Sequence, residues 1–467
     1  MYNYTLPKIW AARVQKYWDK IIPSDYPESS SEFNVNLKDE DKPAVEKMED
    51  ELGTEDSAIN AFVEEGNYVS NYYGTWDVEG EAGELTLLSP EKIETDGSII
   101  AAHLNGDTWE QIEDAHLDSD GYAWGTLESF SPIAIFAVKK DIETAVPDFM
   151  GGNTWIVANG NPVKVFTEDG VVKVMNMSSG TVLELGDATV VCGGSIDGTK
   201  VDSTNVSVIG VENENFNVYA GSYCWNNEDD TITTTNDTIV VNIMDSKIRA
   251  VTGAGGRTRV NNLKINVNNS SIKSHIGCGE TWNTKAKKDA NTSGENLGMS
   301  SVAWCKNVEI MFENGSYCEL VFTGGNTGYS YTDNSKITVK DSKIDYLVGG
   351  GSNGRTRHTE MVVSGLEGNI FQTVNRGLVD EAVASINDST IPNLFVFGDA
   401  TDKTVTGVVN SINIDINKGT YGVKLGVQGG AAVTDVSPVK AVKISRSADY
   451  SISDEDKALL GDKFIVK

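Results

Sequence analysis

Four aspartates recur along the chain, Asp187, Asp245, Asp341 and Asp388, and each opens a stretch of the same kind. Two carboxylates converging on one cleft are what glycosidic cleavage needs, at a separation set by the mechanism. Each of these aspartates, however, is followed by serine or alanine, a pattern that caps a turn with the acid's side chain. Asp245 and Asp341 are expected about four repeat units apart, near 20 Å at roughly 4.8 Å per unit. That is too far for a catalytic pair. The four histidines are scattered and no nucleophile–histidine arrangement is recognisable. No catalytic residue is assigned, and the chain is read as a non-enzyme.

A second set of residues suits binding. Glycine pairs recur, and the segments after them read "SYCWNNEDDTITTT", "RTRV", "ETWNTKAKKDANTSGENLGMSS", "NTGYSYTDN", "SNGRTRH" and "DATDK". Read as stacked turns on one edge, they bring Trp225, Arg257, Arg259, Trp282, Tyr329, Tyr331, Arg355 and Arg357 into one ridge. Aromatic faces cover the C–H faces of sugars while guanidinium and amide groups bond hydroxyls, so the ridge is a candidate glycan site. The plainer alternative is that the arginines pair with local acids and the rings pack among the turns.

Metal and cofactor chemistry is not expected. "DSDG" at Asp118–Gly121 has the look of a calcium loop, but Tyr122 and Ser129 stand where oxygen ligands are required. A hairpin turn fits better. The five cysteines, Cys192, Cys224, Cys278, Cys305 and Cys318, are odd in number and include no CxxC pair. They read as buried thiols. Thirty-eight basic against 68 acidic side chains give a net charge of −30, which excludes a nucleic-acid partner held through phosphates. No apolar run is long enough to span a membrane.

The elements that must carry these residues come from a repeat. "DSKIDYLVGGGSNGRTRHTEMVVSG" at Asp341 echoes "DSKIRAVTGAGGRTRVNNLKINV" at Asp245. Weaker copies begin at Asp187, Asn213, Asn269, Gly315, Glu367, Asp388 and Lys418, with a common step of about 25 residues and one step carrying an insertion. Each unit holds short β-branched runs that alternate apolar and polar, and no helix. Stacked parallel strands suit that pattern, whereas the leucine ladder of a leucine-rich repeat is absent. Val240, Ile265, Ile310, Val339, Val363 and Ile414 are predicted to face inward.

In coil length and pattern, residues 150–445 resemble the right-handed parallel β-helix group, the pectin-lyase-like superfamily. They are also similar to glycine-punctuated repeats of surface proteins and virion fibres from Gram-positive bacteria and their phages. Ahead of them, 75–145 reads as a small β-sandwich-like domain, because "GDTWEQIEDAHLDSDGYAWGTLESFSPIAIF" resembles the closing half of such modules in bacterial surface proteins. Residues 26–74 read as an acidic linker with short helices, and 446–467 as a C-terminal cap. Residues 1–25 place Ile9, Trp10, Val14 and Trp18 on one face of a predicted anchor helix, with Arg13 among the basic residues opposite. "YTLPKIWAARV" resembles the opening of tailed-phage major capsid proteins.

The fold class expected is therefore mainly β: a right-handed parallel β-helix solenoid preceded by a β-sandwich-like domain and a helical anchor. These resemblances, with no uninterrupted apolar core of a secretory signal near the start, imply a phage virion surface protein, a head fibre or capsid decoration. It would dock on a capsid protein through its N-terminus, contact host or environmental glycans, and assemble as a homotrimer. A bacterial cell-surface adhesin and a tailspike-like polysaccharide lyase or hydrolase are the alternatives.

Overall fold

The echo at Asp245 and Asp341 has a backbone cause. Asp245, Asn269, Asn314, Asp341 and Asp388 all adopt left-handed backbone, with φ between 44° and 58°. Among non-glycine residues Asp and Asn tolerate that region best. The aspartate is thus selected for a conformation, and the serine after it makes the bonds. Ser246, Ser270, Ser316, Ser342 and Ser389 are buried. Their hydroxyls donate to Met244 O, Asn268 O, Glu313 O, Lys340 O and Asn387 O at 2.6–2.8 Å. Four of these oxygens, those of Ser246, Ser270, Ser316 and Ser389, also accept a backbone N–H from the preceding repeat: Val211 N to Ser246 at 3.1 Å, Ser246 N to Ser270 at 3.1 Å, Ser270 N to Ser316 at 3.3 Å and Leu366 N to Ser389 at 3.0 Å. One level later the Tyr421 hydroxyl takes over, accepting from Ser389 N at 3.2 Å.

The computed structural model describes residues 66–77, 85–89, 92–95, 97–105, 108–118, 120–127, 132–147, 153–223, 234–255, 258–279, 303–325, 330–352, 355–375, 377–399, 407–428 and 430–467. The predicted anchor residues Ile9, Trp10, Arg13, Val14 and Trp18 lie outside them, as does Cys224. The protein is mainly β, and the described residues divide into two compact units. One takes in those up to Ile142 together with Ser178–Thr181, the other Glu143–Met177 and Val182–Lys467.

In the larger unit, strands pair in parallel with the strand one repeat further on, which produces two long ladders. Along the first, Val163, Val206, Val241, Ile265, Ile310, Ile337, Met361, Ala384, Ile414, Val442 and Phe464 follow one another in register. Along the second, Val218, Val251, Ile276, Val321, Leu347, Phe371, Leu394 and Val423 do the same. Apart from Phe464 these residues are buried. Strands Ser330–Val348 and Arg355–Gln372 run through both ladders, turning at Asp341 and at Gly365 (φ 65°). Ile265, Ile310, Val339, Val363 and Ile414 are buried as predicted. Val240 is not. It pairs with Lys264 on the outer side, while Ile239 and Val241 face in. Three consecutive apolar residues hid the phase of the alternation there.

The register also corrects the repeat starts. Lys247 pairs with Ser271, Ser271 with Tyr317, and Tyr317 with Lys343, so Asp245 and Asp341 are three levels apart. No hidden unit lies in the insertion, and the expected four-level separation is overturned. Glu212 and Glu367 occupy the same position as Lys247. The corners preceding them are therefore Gly210 and Gly365, both at φ 65°, where the sequence alignment had Asn213 and Glu367. The glycine pairs answer a different need. Gly193 and Gly349 do not have positive φ; a Cβ on them would come 2.1 Å from Ala220 O and 2.5 Å from Thr373 O. They admit the close backbone of the next level, whereas Gly350, the second glycine of its pair, turns the chain at φ 85°.

Antiparallel strands stop both ladders at one end, Val171–Asn176 against Val163–Glu168 and Glu143–Ala145 against Trp155–Val157. At the other, Ser453 Oγ caps helix α1 (Asp454–Leu460) by accepting from Asp456 N at 3.0 Å. Asp456 Oδ2 in turn accepts Leu425 N at 3.2 Å. Such ends keep strand edges from recruiting other chains. The smaller unit has a four-stranded and a three-stranded antiparallel sheet over one core that includes Leu88, Ile99, Ile112, Leu127, Ile133 and Ile135.

Ser270→Ala removes the acceptor of the buried Ser246 N–H. It is expected to lower the unfolding free energy by about 1–3 kcal/mol in chemical denaturation. Ser271→Ala, at the partly exposed neighbour, is expected to cost less than about 0.5 kcal/mol.

Candidate functional site

Just past the glycine pairs a short third run of parallel pairing precedes the first ladder. Arg259 pairs with Trp304, Trp304 with Tyr331, Tyr331 with Arg355, and Arg355 with Leu378. The next residues along each strand, Val260, Cys305, Thr332, Thr356 and Val379, are buried in the interior. Arg259, Trp304, Tyr331 and Arg355 therefore belong to the opposite, outer side of four successive levels. The sequence reading put Arg259, Tyr331, Arg355 and Arg357 in turns. They stand in strands, because the out–in alternation of Arg-Val, Trp-Cys, Tyr-Thr and Arg-Thr begins at once after the glycines. Trp225, Arg257, Trp282 and Tyr329 lie outside the described residues.

Trp304 was not on the predicted ridge. Its signal was present: Arg259-Val-Asn-Asn-Leu, Trp304-Cys-Lys-Asn-Val, Tyr331-Thr-Asp-Asn-Ser and Arg355-Thr-Arg-His-Thr align position for position. Trp304 is only 4% exposed, so its ring contributes packing as well as any outward face.

A bend follows this column. The residues there, Asp237, Asn261, Lys306, Asp333, Arg357 and Asp380, fall in the gaps of the register. Arg355 Nη2 and Nε both donate to Asp380 Oδ2, at 2.8 and 3.1 Å, and Asn410 donates to Asp380 Oδ1 at 3.2 Å. Asn261 donates to Asp237 Oδ1 at 2.9 Å. Arg357 Nη1 stands 3.7 Å from Asp333 Oδ1, and its side chain is 55% exposed. Arg355 is thus fixed by its carboxylate, whereas Arg357 keeps most of its donors toward solvent. Arg355, held by its carboxylate, and the exposed Arg357 guanidinium give this edge donors suited to a polyhydroxylated ligand, while Trp304 is covered.

Acid–base cleavage finds less support. Three levels put Asp245 and Asp341 roughly 14 Å apart, beyond the roughly 5–9.5 Å of paired glycosidase carboxylates. Among the described residues no group of three or more His, Cys, Asp or Glu side chains is placed to hold a metal ion. The thiols of Cys192, Cys278, Cys305 and Cys318 are buried and unbridged. Burial pushes Cys192 up to about 12, which leaves it protonated and inert.

No protein-family model, curated protein or solved structure matches the chain.

The Asp118 loop is a hairpin turn. Its Oδ1 accepts Asp120 N and Tyr122 N, each at 2.9 Å, and its Oδ2 accepts the Trp124 indole at 2.9 Å. Burial opposes ionisation, but these donors outweigh it and hold the carboxyl below its ordinary 3.8. A carboxyl depressed on folding stabilises fully above its unfolded pKa and loses that contribution as pH falls through the folded value. Acid titration of the full chain, followed by Trp124 fluorescence, is expected to show a transition beginning near pH 4 and moving downward. Asp118→Asn removes that transition, and millimolar calcium leaves the wild-type melting temperature unchanged.

Proposed function

We propose that the protein is a non-enzymatic virion surface protein, a phage head fibre or capsid decoration, whose larger unit is a right-handed parallel β-helix that adheres to host or environmental glycans. The observation that carries this reading is the donor pair Arg355, fixed by Asp380, and Arg357, open to solvent, in register with Tyr331 and Arg259 on the preceding levels. A surface read by a glycan needs ring faces and fixed donors along one line, and a register of parallel strands supplies that line without any dedicated pocket. The parallel pairing repeated level after level supports the solenoid. The mixture of acidic surface and buried thiols suits an exposed protein that needs no disulfide framework. Residues 1–25 are assigned the capsid contact, on their resemblance to the opening of capsid proteins.

Three measurements test this. A density map in which residues 150–445 form an antiparallel sandwich overturns the solenoid. Deleting residues 1–25 is expected to leave a folded protein that no longer associates with capsids; unchanged association rejects the anchor. Replacing Trp225 and Trp282 by Ala, or Tyr331 and Arg357 by Ala, is expected to weaken adsorption to host cells about tenfold, equivalent to about 1.4 kcal/mol, at unchanged melting temperature. Equal adsorption removes the ridge as the contact, and release of oligosaccharide from host polysaccharide replaces adhesion by depolymerisation.

A further inference from the structure

The outer side of the second ladder differs from that of the first. On the first, the outward columns are polar: Asn262, Asn307 and Asn334 are joined amide to amide at 3.2 Å, and Lys264, Glu309, Lys336 and Glu360 follow one another in register. On the second, one column reads Ala250, His275, Leu320, Tyr346, Ile370 over five successive levels, with Ala250 buried, His275, Leu320 and Ile370 half-buried and Tyr346 exposed. The residues that follow them along the strands, Val251, Ile276, Val321, Leu347 and Phe371, are the buried interior column. Tyr346 is 37% exposed, the one aromatic ring among the exposed large apolar side chains of the described residues. His275 belongs with this apolar set. Its Nε2 has no hydrogen-bond partner, and burial, with Arg249 nearby, lowers it to about 4, so it is neutral at pH 7.

Beside that column run Arg249, Glu319, Asp345 and Asn369, each one residue earlier, and Lys273, two residues before His275. Along the ladder the charges read plus, plus, minus, minus. Arg249, Lys273 and Glu319 are exposed. Lys273 is paired within the chain, to Glu214 at 2.6 Å, and Asp345 accepts the Tyr317 hydroxyl at 2.7 Å.

We infer that this face is a homodimer interface, in which two copies pack outer face to outer face with their ladders antiparallel, about a twofold axis between the levels of His275 and Leu320. That axis keeps each column opposite itself and reverses the order of levels. Arg249 then meets Asp345 of the second copy and Lys273 meets its Glu319, so all four charge contacts across the axis are attractive. In the apolar column the exposed Tyr346 ring comes over the level of the buried Ala250, and Leu320 over the level of the half-buried His275. Parallel packing, including the threefold assembly expected from the sequence, brings levels of like charge to equal height and is disfavoured. The inference rests on register and surface chemistry alone and is independent of the glycan reading.

The test uses the full chain in sedimentation equilibrium at low salt. Wild type is expected as a dimer, and Glu319→Lys is expected to weaken dimerisation at least about tenfold by opposing Lys273 of the second copy. The double variant Lys273→Glu with Glu319→Lys restores the attraction and is expected to recover the dimer. Tyr346→Glu supplies a second disruption through the apolar column, with circular dichroism and melting temperature held as controls. A monomeric or trimeric wild type overturns the proposal, and so does a dimer indifferent to the single charge reversal or one that the double variant fails to restore.

Discussion

The serine hydroxyl between one level and the next is the contact on which the rest of the larger unit depends. It donates to its own strand and accepts a backbone N–H from the neighbouring repeat, inside a corner from which water is excluded. A buried N–H without an acceptor costs far more than a made bond contributes, so the corner fixes both the spacing and the phase of successive repeats. Once phase is fixed, every residue has a partner of the same rank above and below it. Valine and isoleucine columns inside, glycine clearance at the tight edge, and ordered rows outside all follow from that one alignment.

The outside is bonded level to level too. Lys247 reaches Glu212 at 2.9 Å, Lys340 reaches Glu313 at 2.7 Å and Lys336 reaches Glu360 at 3.0 Å, and Asn266 donates to Asn242 at 2.8 Å. Exposed pairs of this kind contribute little stability each. Their better use is in register, since a slip of one residue would set these side chains against the interior. An acidic chain with a charge of −30 places its lysines beside its glutamates in these rows, which limits self-repulsion along the stack.

Much of this was legible in the sequence, and the limits have physical causes. The period is legible because Asp-Ser or Asn-Ser marks four of the left-handed corners that precede a buried hydroxyl, at Asp245, Asn269, Asp341 and Asp388, while the fifth is written Asn314-Gly315-Ser316. Gly210 and Gly365 could not be found that way, since glycine reaches the same φ without leaving an Asp-Ser signature. Val240 was misphased because Ile239-Val240-Val241 carries no alternation, and only pairing with Lys264 decides it. Burial of Ile265, Ile310, Val339, Val363 and Ile414 was readable from period-two alternation alone. For the candidate site, the column is partly visible: Arg259, Tyr331 and Arg355 stand out by residue type close behind a glycine pair, whereas Trp304 is separated from its glycine edge by the long segment 280–302. Pairing of Arg355 with Asp380 joins residues 25 apart, a relation that only a correct register reveals.

One feature of the ladders bears on how such a chain can change over generations. Arg259 pairs directly with Trp304 and Ser271 with Tyr317, so the levels before Gly279 and after Ala303 are neighbours despite the length of chain between them. Height and chain length are separate quantities in this molecule. Text can be inserted or rewritten at the glycine edge without displacing any level, and within a level a one-residue difference is absorbed at a bulge, as between Ile248–Ala250 and Ile272–His275, after which Val251 and Ile276 pair in phase. Heritable variation is therefore channelled into three kinds of edit: rewriting of edge segments, single-residue bulges at fixed places in a strand, and gain or loss of whole periods such as the 24 residues from Asp245 to Asn269.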